Sequence, residues 1–232
     1  WEQADLRYGV LQAKGYVEGK RVAHDTLLLH ALPPSPHQKG LFSTAAQPVQ
    51  DPAGEVILRM NCGGGEYTDS QGRTWLADTP WQENTPGWLS WGNDFETIPD
   101  DLASRGQTWD PITGTTDPTL YQTFRWGRDR LRYRIPVTPG RYTVQAHFIE
   151  PWYGTGGGWD YRGWRLFDVA INDQTVEQDL DIFAEVGHDR ALLKFWTVDI
   201  TGDRLDIHFP RIDVNQAILC AFTITRLALC VA

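Results

Sequence analysis

The stretch RYTVQAHF (141–148) decides the fold class. Tyr142, Val144, Ala146 and Phe148 recur with a period of two, and Thr143, Gln145 and His147 occupy the alternate positions. That spacing puts the apolar set on one face of an extended strand and the polar set on the other. The same period runs outward in both directions. RLFDVAIN (165–172) aligns Phe167, Val169 and Ile171, and RLDIHF (204–209) aligns Leu205, Ile207 and Phe209. LRYRIPV (131–137), ALLKFWTVDI (191–200) and AILCAFTITRL (217–227) complete a regular series. Turn chemistry separates them. In VTPGRY, Pro139 and Gly140 fit the central positions of a type II turn, and Asn172-Asp173 and Gly202-Asp203 tolerate positive φ. Strands at this spacing, with no helical period between them, predict an all-β antiparallel sandwich.

The chain ahead of this series has two further textures. DLRYGVLQAKGY and KRVAHDTLLLH read as a hairpin closed at VEGK, where Gly19 suits the turn. An isolated hairpin is marginal in water. Residues 1–32 are therefore expected to be the last two strands of a second sandwich, the alternative being an extra layer on the main one. Pro33, Pro34, Pro36, Pro48 and Pro52 make 33–55 a linker. The main domain is then 56–232, opening at VILRMN and running through a long irregular stretch, 61–119.

Composition excludes several functions. The 232 residues carry 21 Lys and Arg against 30 Asp and Glu, for a net charge of −9. A nucleic-acid groove needs a basic face, so no nucleic-acid partner is expected. AILCAFTI (217–224) is the longest near-apolar run, well short of a membrane span, so no membrane partner is expected. Cys62, Cys220 and Cys230 form no disulfide framework or zinc motif. Buried thiols are expected, with one bridge as the alternative. The chain opens on Trp1, from which an excised piece of a longer polypeptide is expected.

There are 11 Trp, and nine lie between 75 and 164: Trp75, Trp81, Trp88, Trp91, Trp109, Trp126, Trp152, Trp159 and Trp164. Many sit outside the alternating strands. An indole offers a flat apolar face with a hydrogen-bonding edge, the complement of a pyranose ring. Loops rich in Trp, Tyr, Asn and Asp on a rigid sandwich suit a sugar site. For any one Trp, packing under a loop is an equal reading; the cluster favours a binding surface.

Five strings carry a resemblance: NCGGGEYTDSQGRTWLAD (61–78), TLYQTFRWG (119–127), YRIPVTPGRYTVQAHFIEPWY (133–153), RLFDVAINDQTVEQDLDIFAEVGHDRA (165–191) and VNQAILCAFTI (214–224). Together, in this order, they resemble the malectin family over roughly 55–227. The resemblance implies a malectin-like, jelly-roll type sandwich that binds carbohydrate without catalysis, as in an endoplasmic-reticulum lectin and in modules attached to bacterial glycosidases. It assigns sugar-stacking roles to Trp126, Trp152 and Tyr153. A further aromatic in the early loop matches Trp91-Gly92, with Trp88 as rival. The polar ligand residue before the last strand is Asn215 by direct count, or Asp213 with a two-residue shift. Several Tyr/Phe positions of the family are Trp here, so the implied ligand need not be the family's glucose disaccharide. The Gly-rich insert GTGGGWDYRG (154–163) brings Trp159 and Tyr161, which would either wall the site or anchor the loop.

The pattern W…YGVLQAKGYVEGKRVAHDT is similar to the closing strands of an immunoglobulin-like accessory domain of glycoside hydrolase family 2, the β-galactosidase and β-glucuronidase type. It implies an upstream glycosidase catalytic domain as partner, with an oligo- or polysaccharide ligand and a periplasmic or secreted setting. Glu150 is the one acid beside the aromatics that could be argued into general-acid catalysis, but it belongs to the strand-end motif of a non-catalytic family. No catalytic residue is therefore expected. Asp179, Asp181, Glu185 and Asp189 in DLDIFAEVGHD lack EF-hand spacing, and a structural calcium has no support; no cofactor or metal is expected. The alternative to a lectin is a structural module whose Trp residues pack against the catalytic domain or a partner subunit.

Overall fold

The structure is a computed structural model that describes residues 10–18, 20–28, 50–91, 104–128, 130–157 and 159–228. Gly19, Gly92, Cys230 and the prolines from Pro33 to Pro48 lie outside the described residues. The first element pair is the hairpin read from sequence: β1 (Val10–Val17) and β2 (Lys20–Leu28) are antiparallel and form a sheet of their own.

The remaining strands are β3 (Glu55–Asn61), β4 (Tyr67–Thr68), β5 (Thr74–Ala77), β6 (Gly87–Leu89), β7 (Arg105–Gln107), β8 (Thr123–Gly127), β9 (Arg132–Pro136) and β10 (Gly140–Phe148). They continue as β11 (Leu166–Ile171), β12 (Gln174–Leu180), β13 (Leu192–Ile200), β14 (Arg204–His208), β15 (Ile212–Val214), β16 (Ala217–Leu219) and β17 (Ala221–Arg226). One sheet has the order β13-β10-β17-β3-β5-β4; the other has β12-β11-β14-β9-β6, with β15 paired to β11. A three-stranded sheet, β16-β8-β7, spans the end where β8 enters. Apart from the parallel β3–β5 pair, the ladders are antiparallel. The expected sandwich is present.

The two large sheets meet through aromatic rings. Tyr133 of β9 lies edge-on to Phe222 of β17 at 4.9 Å, and Phe148 of β10 is 6.2 Å from Phe167 of β11. All four are essentially fully buried, each contributing about 1.5–3 kcal/mol by leaving water. The polar face of β10 is buried as well. His147 is edge-on to Trp75 at 5.2 Å and bonds Tyr121 Oη at 2.9 Å; Gln145 donates to the carbonyl of Gln50 at 3.0 Å. The segment just before β3 is thus tied to the domain, and Asp51 pairs with Arg59 at 2.5 Å and Arg73 at 3.2 Å.

Local chemistry differs from expectation in three places. The stretch 61–119 is not wholly irregular: it holds β4 to β7, each two to four residues long. Two short helices occur among the described residues, α1 (Thr119–Gln122) and α2 (Ile182–Val186). Asp181 caps α2 by accepting from Ala184 N at 2.9 Å, and Gly187, at φ 86°, ends it. Finally, the VTPGRY turn is not type II. Gly140 lacks the positive φ that its position would need and already pairs with Ile200 as the first residue of β10. Asn172 does take positive φ, 50°. Neither described cysteine is bridged: Cys62 and Cys220 are buried free thiols, and burial raises the pKa of both well above the ordinary value.

Candidate functional site

β8 sends alternate side chains to opposite faces, and the two faces do different things. Arg125 points inward. It pairs with Asp78 at 2.5 Å and lies over the Trp88 ring, 3.8 Å from its centroid. Asp78 also accepts from Tyr133 Oη at 2.9 Å and Gly63 N at 2.8 Å. Burial raises the Asp78 pKa, with the Arg125 charge pulling against it. This hub lines a cavity of about 540 Å³ with Gly63, Gly64 and Gly65, and holds Trp88 fully buried. Trp88, the rival of Trp91 in the sequence reading, is thus fully buried and lines this cavity, not the pocket of Trp126.

Trp126 points the other way. With Trp91, Gly127, Arg128, Arg130 and Gln216 it lines a separate pocket of about 310 Å³. Its strand position is set by the ladder to β16, where it faces Ile218, and by Trp126 N donating to Ser104 O at 2.8 Å. Trp91 and Trp126 are both half-buried.

The turn after β10 presents the next two aromatics, and Glu150 organises it. Its carboxylate is fully buried and accepts from Trp152 N at 3.0 Å, Tyr153 N at 3.1 Å and Arg165 Nε at 2.5 Å. Arg165 reaches on to the Gln216 carbonyl at 2.7 Å, so one guanidinium joins the turn to the Trp126 pocket. Both oxygens of Glu150 are engaged and neither meets solvent, which gives this residue a positioning role. The Trp152 ring is left 64% exposed. Tyr153 is half-buried: Asn215 donates to its hydroxyl, and the Arg165 guanidinium lies 5.4 Å from the ring centroid.

His188 braces the same turn. Its Nδ1 donates to Glu150 O at 2.9 Å, while Nε2 faces Asp189 Oδ2 at 2.9 Å and Thr155 Oγ1 at 3.4 Å. Burial lowers the His188 pKa, but the hydrogen bond and charge of Asp189 and the Glu150 carbonyl outweigh it, and the net shift is upward. The Gly-rich insert is anchored in part. Tyr161 stacks on Tyr153 at 6.1 Å and meets Phe183 edge-on at 5.6 Å, whereas Trp159 is 70% exposed.

Of the six residues proposed from sequence, the structure brings Trp91 and Trp126 into one pocket and joins Tyr153 to Asn215 beside it, with Trp152 next in the turn. Asp213 goes elsewhere. It pairs with Arg211 at 2.7 Å, in a surface cluster with Asp168 and Asp179. The acids of 179–189 do not converge: Asp179 meets Arg211, Asp181 caps α2, and Glu185 pairs with Lys194 at 2.7 Å. Among the described residues, the one grouping with metal-ligand proximity is Asp110, His188 and Asp189, within 4.8 Å. Arg165 and His188 were not singled out from sequence, since no local pattern marks a buried Arg or a bracing His. Gln216 could have been, as the neighbour of Asn215.

Human malectin is 30% identical over 197 residues, covering 82% of this chain and 60% of that protein. A probable leucine-rich repeat receptor-like serine/threonine-protein kinase of Arabidopsis thaliana is 30% identical over 65% of this chain but only 16% of its own length. This chain therefore spans less than two thirds of either relative. Among solved structures, a β-glucuronidase of Bacteroides uniformis superposes with a TM-score of 0.62 at 22% identity, over 94% of this chain and 22% of that one, a likeness of fold. The Malectin domain model matches residues 56–225, well over half of the sequence, and the chain belongs to the malectin family.

Proposed function

We propose that this domain is a non-catalytic module that binds oligo- or polysaccharide by aromatic stacking and holds a larger glycosidase near its substrate. The observation that carries the reading is the continuous run from the Trp91–Trp126 pocket, through Asn215 and Tyr153, to the exposed Trp152. Indole and phenol faces stack on the C–H face of a pyranose, while Asn215, Gln216 and the pocket arginines can bond its hydroxyls. Malectin membership supports a sugar as the ligand.

A bacterial family 2 glycosidase of the β-glucuronidase or β-galactosidase type is the parent we favour. Coverage of 94% in the β-glucuronidase superposition exceeds what 56–232 alone could fill, so it takes in residues ahead of the malectin match. In such a parent, tethering would raise the effective concentration of the catalytic domain at a glycan without new contacts at the reacting bond. Isothermal titration against α- and β-linked gluco- and galacto-oligosaccharides tests the reading. Binding of at least one series is expected, and binding that Trp152→Ala leaves untouched in every series would count against it.

A second reading has one feature in its favour. Strand β13 ends its sheet, and Phe195 on it is 53% exposed. A structural module would use such an edge against a neighbouring domain.

A further inference from the structure

The most exposed large apolar side chain among the described residues is Trp109, at 83%, and the run above does not include it. Its backbone is well placed. Thr108 N donates to Gln122 O at 2.9 Å, just before β8 begins, so Trp109 stands at the opposite end of that strand from Trp126. At ~3.3 Å per residue the separation along the strand is on the order of 13 Å, more than one sugar ring bridges. Toward Trp152, polar groups follow Trp109. Asp110, next in the chain, brings its carboxylate within 4.8 Å of His188 and Asp189. His188 in turn reaches Thr155, whose hydroxyl donates to Trp152 O at 2.9 Å. Two exposed indoles, Trp152 and Trp109, thus flank a strip of hydroxyl, imidazole and carboxylate groups.

We propose that this strip and Trp109 form a second sugar-binding surface continuous with the first, so that the domain takes several units of one linear, uncharged glycan. Trp109 stacks on a distant ring; Asp110 and Thr155, held together through His188, bond hydroxyls of the units between. Along this strip Asp110 and Asp189 accept from neutral hydroxyls and repel acidic groups, which favours uncharged units there. Trp109 follows β7 by two residues, its neighbour Thr108 tied by its backbone to Gln122, so the exposed indole loses little entropy on stacking. The proposal rests on the sugar-binding reading of the Trp126 pocket.

The test is affinity against chain length, from disaccharide to heptasaccharide, in whichever oligosaccharide series the wild-type domain binds. Affinity is expected to rise about tenfold with length, the gain of one good aromatic contact. Trp109→Ala should abolish that rise and leave disaccharide affinity unchanged; because the ring is on the surface, the variant should fold normally. Trp126→Ala should weaken binding at every length. Length dependence that persists in Trp109→Ala, or its absence from wild type, overturns the second surface alone. A change of oligomeric state in Trp109→Ala, with glycan affinity unaltered, marks a protein contact and also overturns it. Wild type that binds no member of any series removes both the second surface and the reading beneath it.

Discussion

Glu150 holds the aromatic turn in place, and its energetics are those of a buried ion pair. Its side chain is inaccessible and that of Arg165 nearly so. Glu150→Gln would keep acceptors for Trp152 N and Tyr153 N but leave the guanidinium without a counter-charge. Breaking such a pair costs about 3–5 kcal/mol, so urea denaturation should show the midpoint falling accordingly; an unchanged midpoint would remove Glu150 from this role. The two bracing histidines give pH dependences of opposite sign. Burial, aided by the Arg73 charge, lowers the His147 pKa from 6.5 to about 3. Below pH 6.5 the unfolded chain takes up a proton that the folded chain refuses, so this contribution is complete above 6.5. It is lost at up to about 1.4 kcal/mol per pH unit as pH falls toward 3. His188, shifted upward, contributes fully below 6.5 and loses its share as pH rises through its folded value. Stability followed across pH should therefore show His147→Gln flattening the slope on the acid side of 6.5 and His188→Gln on the other. Exchange of these two effects would contradict both assignments.

The element that most directly shapes the site is the turn from β10 into the Gly-rich insert. Gly154 has φ 111°, and a Cβ there would fall 2.5 Å from His188 Cβ. Gly154→Ala should push the turn off His188, destabilise the fold by about 1–3 kcal/mol and weaken ligand binding through Trp152 and Tyr153. Wild-type stability and affinity in this variant would show that the turn is not held there. Legibility follows element length. Strands of five to nine residues, such as β10, β11 and β14, announce themselves by alternation. β4 to β7, and the four- and five-residue helices, are shorter than the periods that would reveal them. Alternation does not reveal that the polar face of β10 is covered, because Trp75, Tyr121 and residue 50 reach it from segments remote in sequence. Likewise Trp88 and Trp91, three residues apart, could not be told apart until Arg125 claimed one and Trp126 shared a pocket with the other.

At the scale of the whole molecule, the indoles divide between two jobs. Trp75 and Trp88 are buried in the core, Trp91 and Trp126 are half-covered around a pocket, Trp109, Trp152 and Trp159 stand in solvent, and Trp164, half exposed, leans on Tyr153 and Tyr161. Aromatic excess alone pointed to a surface; the folded chain places Trp91 and Trp126 in one pocket and joins Asn215, rather than Asp213, to Tyr153. The sandwich supplies rigidity on one side and connecting turns on the other, the arrangement that lets a lectin preorganise its platforms. The measurement that bears most directly on this account is isothermal titration of wild type and Trp126→Ala against α- and β-linked gluco- and galacto-oligosaccharides. The account predicts that wild type binds at least one series and that the substitution weakens it tenfold or more, about 1.4 kcal/mol, in a variant that still unfolds cooperatively. Equal affinity in the two proteins, or no binding by wild type to any of the series, would contradict it.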